Sequence, residues 1–467
     1  MAVNLSRNTK AYFTTYNVDP AAAGFVAPSA EVPGSYTTSN TWEITILDGY
    51  SFSQGTEQQT ITLSEAGTAP VRGERSFSSK LNPVDWSLST YIRPYKSGTV
   101  SAPEKVLWNA LLGSDAIDTV GTAFDAGAKV DATTGTITIT AGNIYGGSDV
   151  TAERDKAIGA TIRLTGVTPV AYNGDWTITG VSESGGDYTY TFDTDGVDLT
   201  GAVTVTGTAY TGQWHESSSD ALVTTLGSNR NNLQKFALLF KVDNSWYKVY
   251  NTAVNQANIS FDLAGIAMVE WSGFGTELHQ LTNAAMTPTA FTSGVNFTAV
   301  NAAATKYITN KLSTTTLEAD ISGGGTAYSV PITGGNLTIN NNIEYVTPEN
   351  LGVINRSIGY FTGTRSITGS LNAYLKTGSN ESGDLLKDIL TGLATTSETK
   401  FMLQIEIGGI NSTTKVEVLM NGCQLQVPSV DIQDVVSTTI NFTAQGYTGT
   451  DYDIAKTNNL RVTYVGV

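Results

Sequence analysis

The sequence predicts a mainly β protein with two tandem β-sandwich or barrel domains, each carrying one short helix, and a small all-β domain inserted in the first. Three observations predict this class. A strand with one apolar face occurs twice, at residues 87–93 and 370–376. A helical pattern follows each of these strands. A composition with 47 glycines and 15% charged residues is typical of folded chains whose short strands are joined by turns.

The repeated strand alternates apolar and polar residues with period two, which is the signature of a strand with one buried face. Its apolar positions in the first and then the second copy are Leu88, Thr90, Ile92, Leu371, Ala373 and Leu375. A single match of this kind could arise by chance. The surroundings of the two strands therefore decide whether the chain is duplicated.

A short helix is predicted after each copy of the strand. In the first copy, Ser101 and Glu104 have the spacing of a capping box, Pro103 suits the first turn, and Gly113 suits the end. In the second copy, Gly392 provides the same stop. The apolar stripes of the two helices are Val106, Leu107, Ala110, Leu111 and Leu385, Leu386, Ile389, Leu390.

The repeat continues beyond the helices, in the same order. The matching segments are 235–239 with 400–403, 260–263 with 429–432, and 269–271 with 440–442. The chain is therefore predicted to contain two copies of one fold.

Ahead of the repeated strand, the chain opens with a predicted strand at residues 8–16 and a loop at 20–40. Long polar excursions at 53–77 and 340–361 then lead into the repeated strand. Loops of this length are uncommon in compact domains unless they are functional. Each excursion is therefore expected to be functional or to be an arm that reaches a neighbouring molecule.

The extra length of the first copy predicts an inserted domain. Well over a hundred residues separate Gly113 from Lys235, whereas Gly392 and Lys400 are separated by a short turn. The predicted division is 1–127 plus 213–285 for the first copy, 128–212 for the insert as an outer decoration, 286–304 for a linker, and 305–467 for the second copy. Strands are predicted in the insert at 136–140, 160–167, 175–181, 187–194 and 202–209.

Charge and cysteine content exclude several classes of protein. The net charge is 26 − 42 = −16, which disfavours a protein that grips nucleic acid through its phosphates. The one cysteine, Cys423, has no internal partner and is expected to be a buried apolar residue. No secretory signal peptide and no membrane helix are expected from the apolar runs.

The residues that could carry chemistry favour no enzyme, metal or cofactor. His215 and His279 are far apart in polar surroundings, and no motif places a nucleophile beside them. The acidic run 193–198 lacks the bidentate glutamate of a calcium loop and is interpreted as a turn. The glycines at 323–325 and 334–335 are also interpreted as turns. Five tryptophans are expected in the core or in subunit contacts, namely Trp42, Trp86, Trp108, Trp246 and Trp271.

Several motifs resemble the tail tube proteins of long-tailed siphophages, of the type that carries two tube domains in one chain. The motifs are residues 67–73, 85–96 and 107–111, with 271–273, 331–335, 338–342, 369–371 and 373–375. The resemblance covers both copies and makes the predicted domains tail-tube-type. It departs from the family at the insert, which takes the place of an immunoglobulin-like domain found at the C-terminus of some members. The insert itself is more weakly similar to small β modules of phage virion proteins.

The resemblance implies a structural virion protein that forms stacked rings, with three two-domain chains giving six positions around a channel for DNA. The implied partners are copies of the chain itself, a tape measure protein, baseplate proteins and a tail terminator, with no membrane and no specific DNA binding. The implied location is the virion tail, after assembly in the host cytoplasm. Candidate contacts between rings are Glu65, Arg72, Arg75, Glu349 and Arg356.

Two alternatives remain at this point. A baseplate or tube-initiating ring would use the same domains with other partners. A surface adhesin with the insert as a glycan-binding module is the alternative that forms no tube.

Overall fold

The structure is a computed structural model of the 467-residue chain. It describes residues 9–37, 39–62, 74–92, 96–97, 100–101, 104–113, 117–118, 122–124, 126–129, 134–140, 142–144, 147–158, 161–165, 174–193, 207–210, 213–216, 233–263, 265–281, 309–319, 326–348, 355–394, 399–408, 415–431, 436–446 and 459–465.

The first copy of the repeat contains most of the strands on either side of the insert. They are β1 (Thr9–Thr14), β2 (Thr41–Ile44), β3 (Ser51–Thr62), β4 (Glu74–Tyr91), β5 (Lys96–Ser97), β6 (Val100–Ser101), helix α1 (Lys105–Leu112), β7 (Ile117–Asp118), β15 (Gln213–Glu216), β16 (Phe236–Val242), β17 (Ser245–Asp262), β18 (Met268–Gly275) and β19 (Glu277–Leu281). Short 3-10 turns at Pro28–Ala30 and Pro33–Ser35 lie between β1 and β2.

The insert forms its own seven-stranded sheet, in the order β8-β14-β11-β12-β13-β10-β9. Its elements are β8 (Thr122–Phe124), β9 (Ala126–Lys129), β10 (Thr134–Ile139), helix α2 (Val150–Ala157), β11 (Thr161–Thr165), β12 (Gly174–Ser184), β13 (Asp187–Asp193) and β14 (Gly207–Tyr210). The five predicted strands correspond to β10–β14, whereas β8, β9 and α2 were not predicted. Helix α2 gave no apolar stripe because it has mostly polar side chains.

The second copy contains β20 (Thr314–Ala319), β21 (Thr326–Ser329), β22 (Ile332–Asn340), β23 (Ile343–Val346), β24 (Asn355–Arg356), β25 (Gly359–Thr362), β26 (Ser366–Tyr374), helix α3 (Ser382–Leu393), β27 (Phe401–Ile407), β28 (Lys415–Leu425), β29 (Ser429–Asp431), β30 (Ser437–Gln445) and β31 (Arg461–Val465). A 3-10 turn at Asn310–Leu312 precedes them. The predicted linker 286–304 lies outside the described residues. Along the described part of the chain, no helix is long and apolar enough to cross a membrane.

Each copy consists of an outer and an inner set of strands joined by one long strand. The outer set is β2-β1-β16-β17-β19 in the first copy and β21-β20-β27-β28-β31 in the second. The inner set is β3-β4-β18-β17 and β22-β26-β30-β28/β29. The mainly β fold and its sandwich-like copies are confirmed.

Matching β-bulges show that the two copies share one register. The pairing of β16 with β17 shifts between Phe236 and Leu238, and that of β27 with β28 shifts between Phe401 and Leu403. A bulge bends its strand and fixes its register, so a bulge at the same place indicates the same backbone path. This common path is what a duplicated fold requires.

For the last two matched segments of the repeat, strand pairing aligns the two copies two residues away from the alignment that the sequence suggested. Leu88 pairs with Trp271 and its equivalent Leu371 pairs with Ile440, so Trp271 corresponds to Ile440. Similarly, Ser260 corresponds to Asp431. An even shift leaves each side chain on its predicted face. Alternation alone therefore could not detect it.

The helices close the inner strands from the core side. In α1, Trp108 packs edge-on against Trp271 with ring centroids 4.8 Å apart. Gly113 ends the helix in the left-handed conformation, with φ 71°, as predicted. The predicted cap at Ser101 is wrong, since Ser101 lies in β6 and the helix begins only after Glu104. Helix α3 buries Leu385 and extends one residue past Gly392.

The described residues of the excursion at 53–77 form two paired antiparallel strands rather than an irregular loop. Strands β3 and β4 stay paired as far as Thr62 and Glu74, with register shifts near Gln54 and Glu57. Polar residues on both faces hid these strands from the apolar pattern. We call the segment 56–81 the first arm. Its counterpart, residues 343–362 with β23, β24 and β25, is the second arm.

The inner strands of the two copies form one continuous sheet. Strand β17 of the first copy pairs with β22 of the second over seven residue pairs, from Gln256–Asn340 to Asp262–Gly334. The resulting order is β3-β4-β18-β17-β22-β26-β30-β29. We call this the inner sheet.

Candidate functional site: the inner sheet and its edges

One face of the inner sheet is polar at most of its positions. Its apolar residues are Met268 and Phe274, and Phe274 packs against Tyr345. The core face of the sheet buries Leu88, Trp271, Ile259, Leu337 and Leu371. The alternate positions make up the polar face: Ser51, Ser53, Asp85, Ser87, Ser89, Tyr91, Gln256, Asn258, Ser260, Asp262, Met268, Glu270, Ser272, Asn336, Thr338, Asn340, Ser366, Thr368, Ser370, Asn372, Tyr374, Ser429, Asp431, Ser437, Thr439, Asn441, Thr443 and Gln445.

Hydrogen bonds between strands order this polar face. Asn258 Nδ2 donates to Glu270 Oε2 at 3.3 Å, and Thr338 Oγ1 donates to Asn258 Oδ1 at 3.1 Å. These two bonds cross from β18 through β17 to β22, and so from the first copy to the second. Cross-strand pairs of this kind stabilise a sheet and fix its register.

The polar face is acidic. Asp85, Asp262, Glu270 and Asp431 are its charged residues, and no lysine or arginine is among the positions that define it. Exposed carboxylates on a sheet face repel phosphate groups, and a concave wall of one sign of charge strengthens that field. The face therefore suits a wall past which a polyanion moves without binding.

Reciprocal packing beneath the face sets the position of the strands. Trp86 of β4 faces Gly273 of β18, and in the second copy Gly369 of β26 faces Phe442 of β30. The large and small residues have exchanged sides between the copies. A Cβ at Gly273 would lie 2.7 Å from the Trp86 ring, and one at Gly369 would lie 2.5 Å from the Phe442 ring. A backbone carbonyl lies closer still in both cases, that of Ala253 beside Gly273 and that of Asn336 beside Gly369. Each glycine is therefore required by the aromatic residue opposite together with the backbone of the neighbouring strand.

The two edges of the inner sheet are open and complementary. Among the described residues, β3 pairs only with β4, and β29 pairs only with β30. Strand β3 is the equivalent of β22, and β29 is the equivalent of the β17 segment that pairs with β22. Within one chain, the two copies are joined by the pairing of β17 with β22, which we call the seam. The open edges β29 and β3 are the equivalents of these two strands, so the edges of two chains could pair in the same way. Exposed edges of this length are aggregation hazards unless another strand covers them.

Exposure at the β29 edge agrees with a missing neighbour. Ile259 is fully buried in the seam, whereas its equivalent Val430 is 42% exposed. Leu337, the seam partner of Ile259, has Phe52 as its equivalent on β3. Val430 and Phe52 would meet if the edges of two chains paired in the seam register.

The second arm folds back onto the first copy. Tyr345 donates hydrogen bonds to the carbonyls of Asn251 and Phe274, each at 2.9 Å, and Tyr360 donates to Leu233 O at 3.1 Å. Strand β24 lies parallel to β4 at Lys80. Burial raises the pKa of both Tyr345 and Tyr360, so both side chains stay protonated donors.

An ion pair fastens this arm. Arg356 Nη1 lies 2.5 Å from Glu277 Oε1, and His279 Nε2 lies 2.8 Å from Glu277 Oε2. The hydrogen bond to His279, followed by the nearby Arg356 charge, lowers the pKa of Glu277 in spite of its burial. The carboxylate is therefore ionised and accepts from both sides.

The first arm has no such partner surface in the described part of the chain, apart from the β24 contact. Ile61 and Phe77, on its two strands, are 44% and 48% exposed. The strand register places both side chains on the same face of the paired strands, so this face is a candidate contact surface.

The predicted inter-ring residues fall in different places. Arg75 lies in the first arm and pairs in register with Ile61, and Arg356 lies in the second arm with Glu277. Glu65, Arg72 and Glu349 lie outside the described residues. The open edges β3 and β29 have no signal in the sequence. They are recognised only from strand pairing, because their equivalents β22 and β17 pair with each other within the chain.

The residues considered for chemistry do not form a reactive site. His279 pairs with Glu277, and His215 lies in β15, whose backbone pairs with β31. No cluster of metal-binding side chains is found among the described residues. Asp193 ends β13, and the rest of the run 194–198 lies outside the described residues. Cys423 is buried as predicted, and so are Trp86, Trp108, Trp246 and Trp271, while Trp42 is partly buried.

Comparison with known proteins adds one relative and no family. No family model matches the chain. In an alignment 478 positions long, gaps included, the chain is 26% identical to the tail tube protein pb6 of Escherichia phage T5, and the match spans 99% of this chain and 79% of that protein. The resemblance to siphophage tail tube proteins, first drawn from short motifs, is confirmed over nearly the full chain.

Proposed function

We propose that the chain is a structural subunit of a phage tail tube, in which three copies close a ring and stacked rings form a conduit for DNA. The relative from phage T5 supports the tube role. The observation that carries the ring is the seam between β17 and β22, because the sheet edges β3 and β29 repeat its two halves. The protein acts through assembly and not as an enzyme.

The seam gives the register of the contact between chains. Asn258 pairs with Thr338 across the seam. Their equivalents are Ser429 on β29 and Ser53 on β3, so these serines face each other between neighbouring chains. The contact is heterologous, and a heterologous contact makes a ring when its rotation closes.

Three chains supply six four-stranded units, and pairing all edges converts them into a closed barrel. Closure removes the exposed edges of the separate sheets. Fusion of two units in one chain makes half of the lateral contacts intramolecular, which lowers the entropy cost of forming the ring. The number three comes from the resemblance to two-domain tube proteins.

The polar face lines the channel in this arrangement. The core face of the inner sheet already packs against α1, α3 and the outer strands, so the opposite face is left for the lumen. Serine, threonine and asparagine with scattered carboxylates give a wetted wall that lacks the basic contacts by which proteins hold phosphates.

A cysteine pair tests the ring and its register. Ser53 and Ser429 are exposed, so Ser53→Cys with Ser429→Cys leaves the fold intact. Oxidation of assembled protein should give covalent trimers under denaturing, non-reducing conditions. The native Cys423 is fully buried and does not interfere. The matched control is Ser51→Cys with Ser429→Cys, which is two residues out of register and should cross-link poorly.

Three results would contradict the proposal. Equal cross-linking by the two pairs would mean that the edges do not pair in the seam register. Covalent hexamers would mean a six-chain ring, and cross-links confined to single chains would mean that no ring forms.

The arms are proposed to join one ring to the next. They leave the inner sheet at the end where β3, β22 and β18 finish, so all of them project from the same rim. Arg75 and Arg356, with Glu65, Arg72 and Glu349 in the same two segments, remain the candidate contacts. Tape measure, baseplate and terminator proteins would meet the inner wall and the two ends of the stack, in the virion tail and during assembly in the host cytoplasm.

A further inference from the structure

The outer face of the first copy is covered by its own loop. Residues 15–37, between β1 and β2, bring Tyr36 onto Tyr12, Leu239, Trp246 and Leu281, which are all buried. Below this loop, Lys248 Nζ lies 3.0 Å from Glu31 Oε1, and both side chains are fully buried. Tyr250 and Asn17 also donate to Glu31 Oε1, each at 2.6 Å. The loop is thus anchored by an ion pair with satisfied hydrogen bonds.

The described residues of the second copy include no such loop, yet the outer face of this copy is equally buried. Only the short connection 320–325 joins β20 to β21, in place of the long connection between β1 and β2. The register equivalence places Leu419 at the position of Lys248, Gln404 at that of Leu239 and Glu417 at that of Trp246. These three residues are 1%, 3% and 0% exposed.

The insert supplies the missing cover. Met402 and Leu419 of the second copy belong to the same buried apolar cluster as Ile162, Trp176 and Phe192 of the insert. Strand β15, which follows the insert, pairs with β31 along the outer edge of the second copy over four residue pairs. The insert leaves one copy of the repeat and packs against the other.

We propose that the inserted domain is the structural lid of the second copy, in the role that the 15–37 loop has in the first. The insert can perform this role and still lie on the outside of the tube, as predicted. However, it would then be needed for the stability of the second copy and would not be a dispensable decoration. The second copy carries apolar Met402 and Leu419 where the first copy carries Ala237 and Lys248. A buried lysine needs a charged partner such as Glu31, which an apolar cover does not supply, so the residues under such a cover have to be apolar.

The test is Leu419→Ala in the full chain, followed by hydrogen exchange of the unassembled protein. A cavity at the interface should raise exchange in both the insert strands β10–β13 and in β27–β28, by about 10-fold or more. The matched control is Leu385→Ala, which opens a cavity in the same copy on the α3 side. That variant should raise exchange in β27–β28 and leave the insert unchanged. The readout does not depend on ring formation, so it is separate from the proposed function.

Excision of the insert gives a second measurement. Thr122 and Ala209 are paired neighbours on β8 and β14, so a short glycine linker can replace residues 122–210 while β7 and β15 remain. Exposed Met402 and Leu419 should then bind a hydrophobic dye, and β27–β28 should lose protection. Unchanged protection of β27–β28 after excision, or unchanged exchange of the insert in Leu419→Ala, would overturn the proposal.

Discussion

At the scale of single residues, the inner sheet depends on small residues placed opposite large ones. Gly273 with Trp86 and Gly369 with Phe442 fill the same layer in opposite orientations. Such an exchange keeps the volume of the layer constant, as close-packed interiors require. The two copies have therefore diverged in sequence while keeping one strand spacing.

Gly369→Ala should destabilise the protein by about 1–3 kcal/mol, because the new methyl would overlap the Asn336 carbonyl and the Phe442 ring. Urea unfolding of the unassembled chain measures this. Gly359→Ala is the control, since nothing lies within 4 Å of its Cβ position. Equal unfolding midpoints for the two variants would contradict the packing argument.

Arg356 should contribute stability that depends on pH. Its partner Glu277 has a pKa below its usual value of 4.5 in the fold. A carboxyl with a lowered folded pKa stabilises above its unfolded pKa, and this stabilisation is lost as the pH falls through the folded value. Arg356 is 60% exposed, so Arg356→Ala should cost only about 0.5–1 kcal/mol at pH 7.

The cost of Arg356→Ala should shrink as the pH falls below 4.5. Urea unfolding measured from about pH 3 to about pH 7 checks this, because that range covers the titration of the Glu277 carboxyl. In a Glu277→Gln background, Arg356→Ala should lose its pH-dependent part. A cost that is the same at every pH in the original background would mean that Glu277 is not the partner.

At the scale of elements, the two arms occupy different environments although they are equivalent segments. The second arm is fixed to the first copy by Tyr345, Tyr360 and Arg356. In the first arm, the described parts of β3 and β4 pair with each other and leave apolar Ile61 and Phe77 exposed. We therefore propose that the first arm, like the open sheet edges, contacts a second chain.

Shortening the first arm should separate ring formation from stacking. Thr56 and Leu81 are paired, so an Asn-Gly turn can replace residues 57–80 and keep the hairpin register. Electron microscopy should then show rings that do not extend into tubes. Tubes of ordinary length from this variant would mean that the first arm does not join rings. Failure to form rings would place the arm in the lateral contact.

At the scale of the whole molecule, the proposed ring concentrates the charge of the polar face around one channel. Each chain places Asp85, Asp262, Glu270 and Asp431 on this face. The net charge of −16 is therefore not only a matter of solubility. Part of it lies where a passing phosphate backbone would meet it.

Glu270→Lys should turn the conduit into a weak DNA binder. Every ring in a stack would gain one lysine per chain, and phosphate contacts repeated along the channel add up. Phage carrying the change should eject DNA more slowly at low salt, with recovery as salt rises. Glu183→Lys on the exposed turn of the insert is the control with the same charge change. Identical ejection rates for the two variants would mean that Glu270 does not face the channel.

The sequence by itself determined those elements of the fold that carry a local apolar pattern. Period-two alternation identified the repeated strand, the spacing of Leu385 and Ile389 identified a helix, and Gly113 fixed a helix end, because these signals reside in neighbouring residues. Local signals also revealed the duplication and five strands of the insert. They missed the arm hairpin and α2, whose polar side chains carry no apolar period.

Only the tertiary structure decided how the elements join. The seam between Ile259 and Leu337, the open edges at Phe52 and Val430, and the cover over Leu419 all bring together residues far apart in the chain. Strand pairing is made by backbone groups that every residue carries, so the side-chain pattern states which face is buried but not which edge is adjacent. For this reason the polar face could be inferred from alternation. That the two copies share this face in one continuous sheet could be seen only in the tertiary structure.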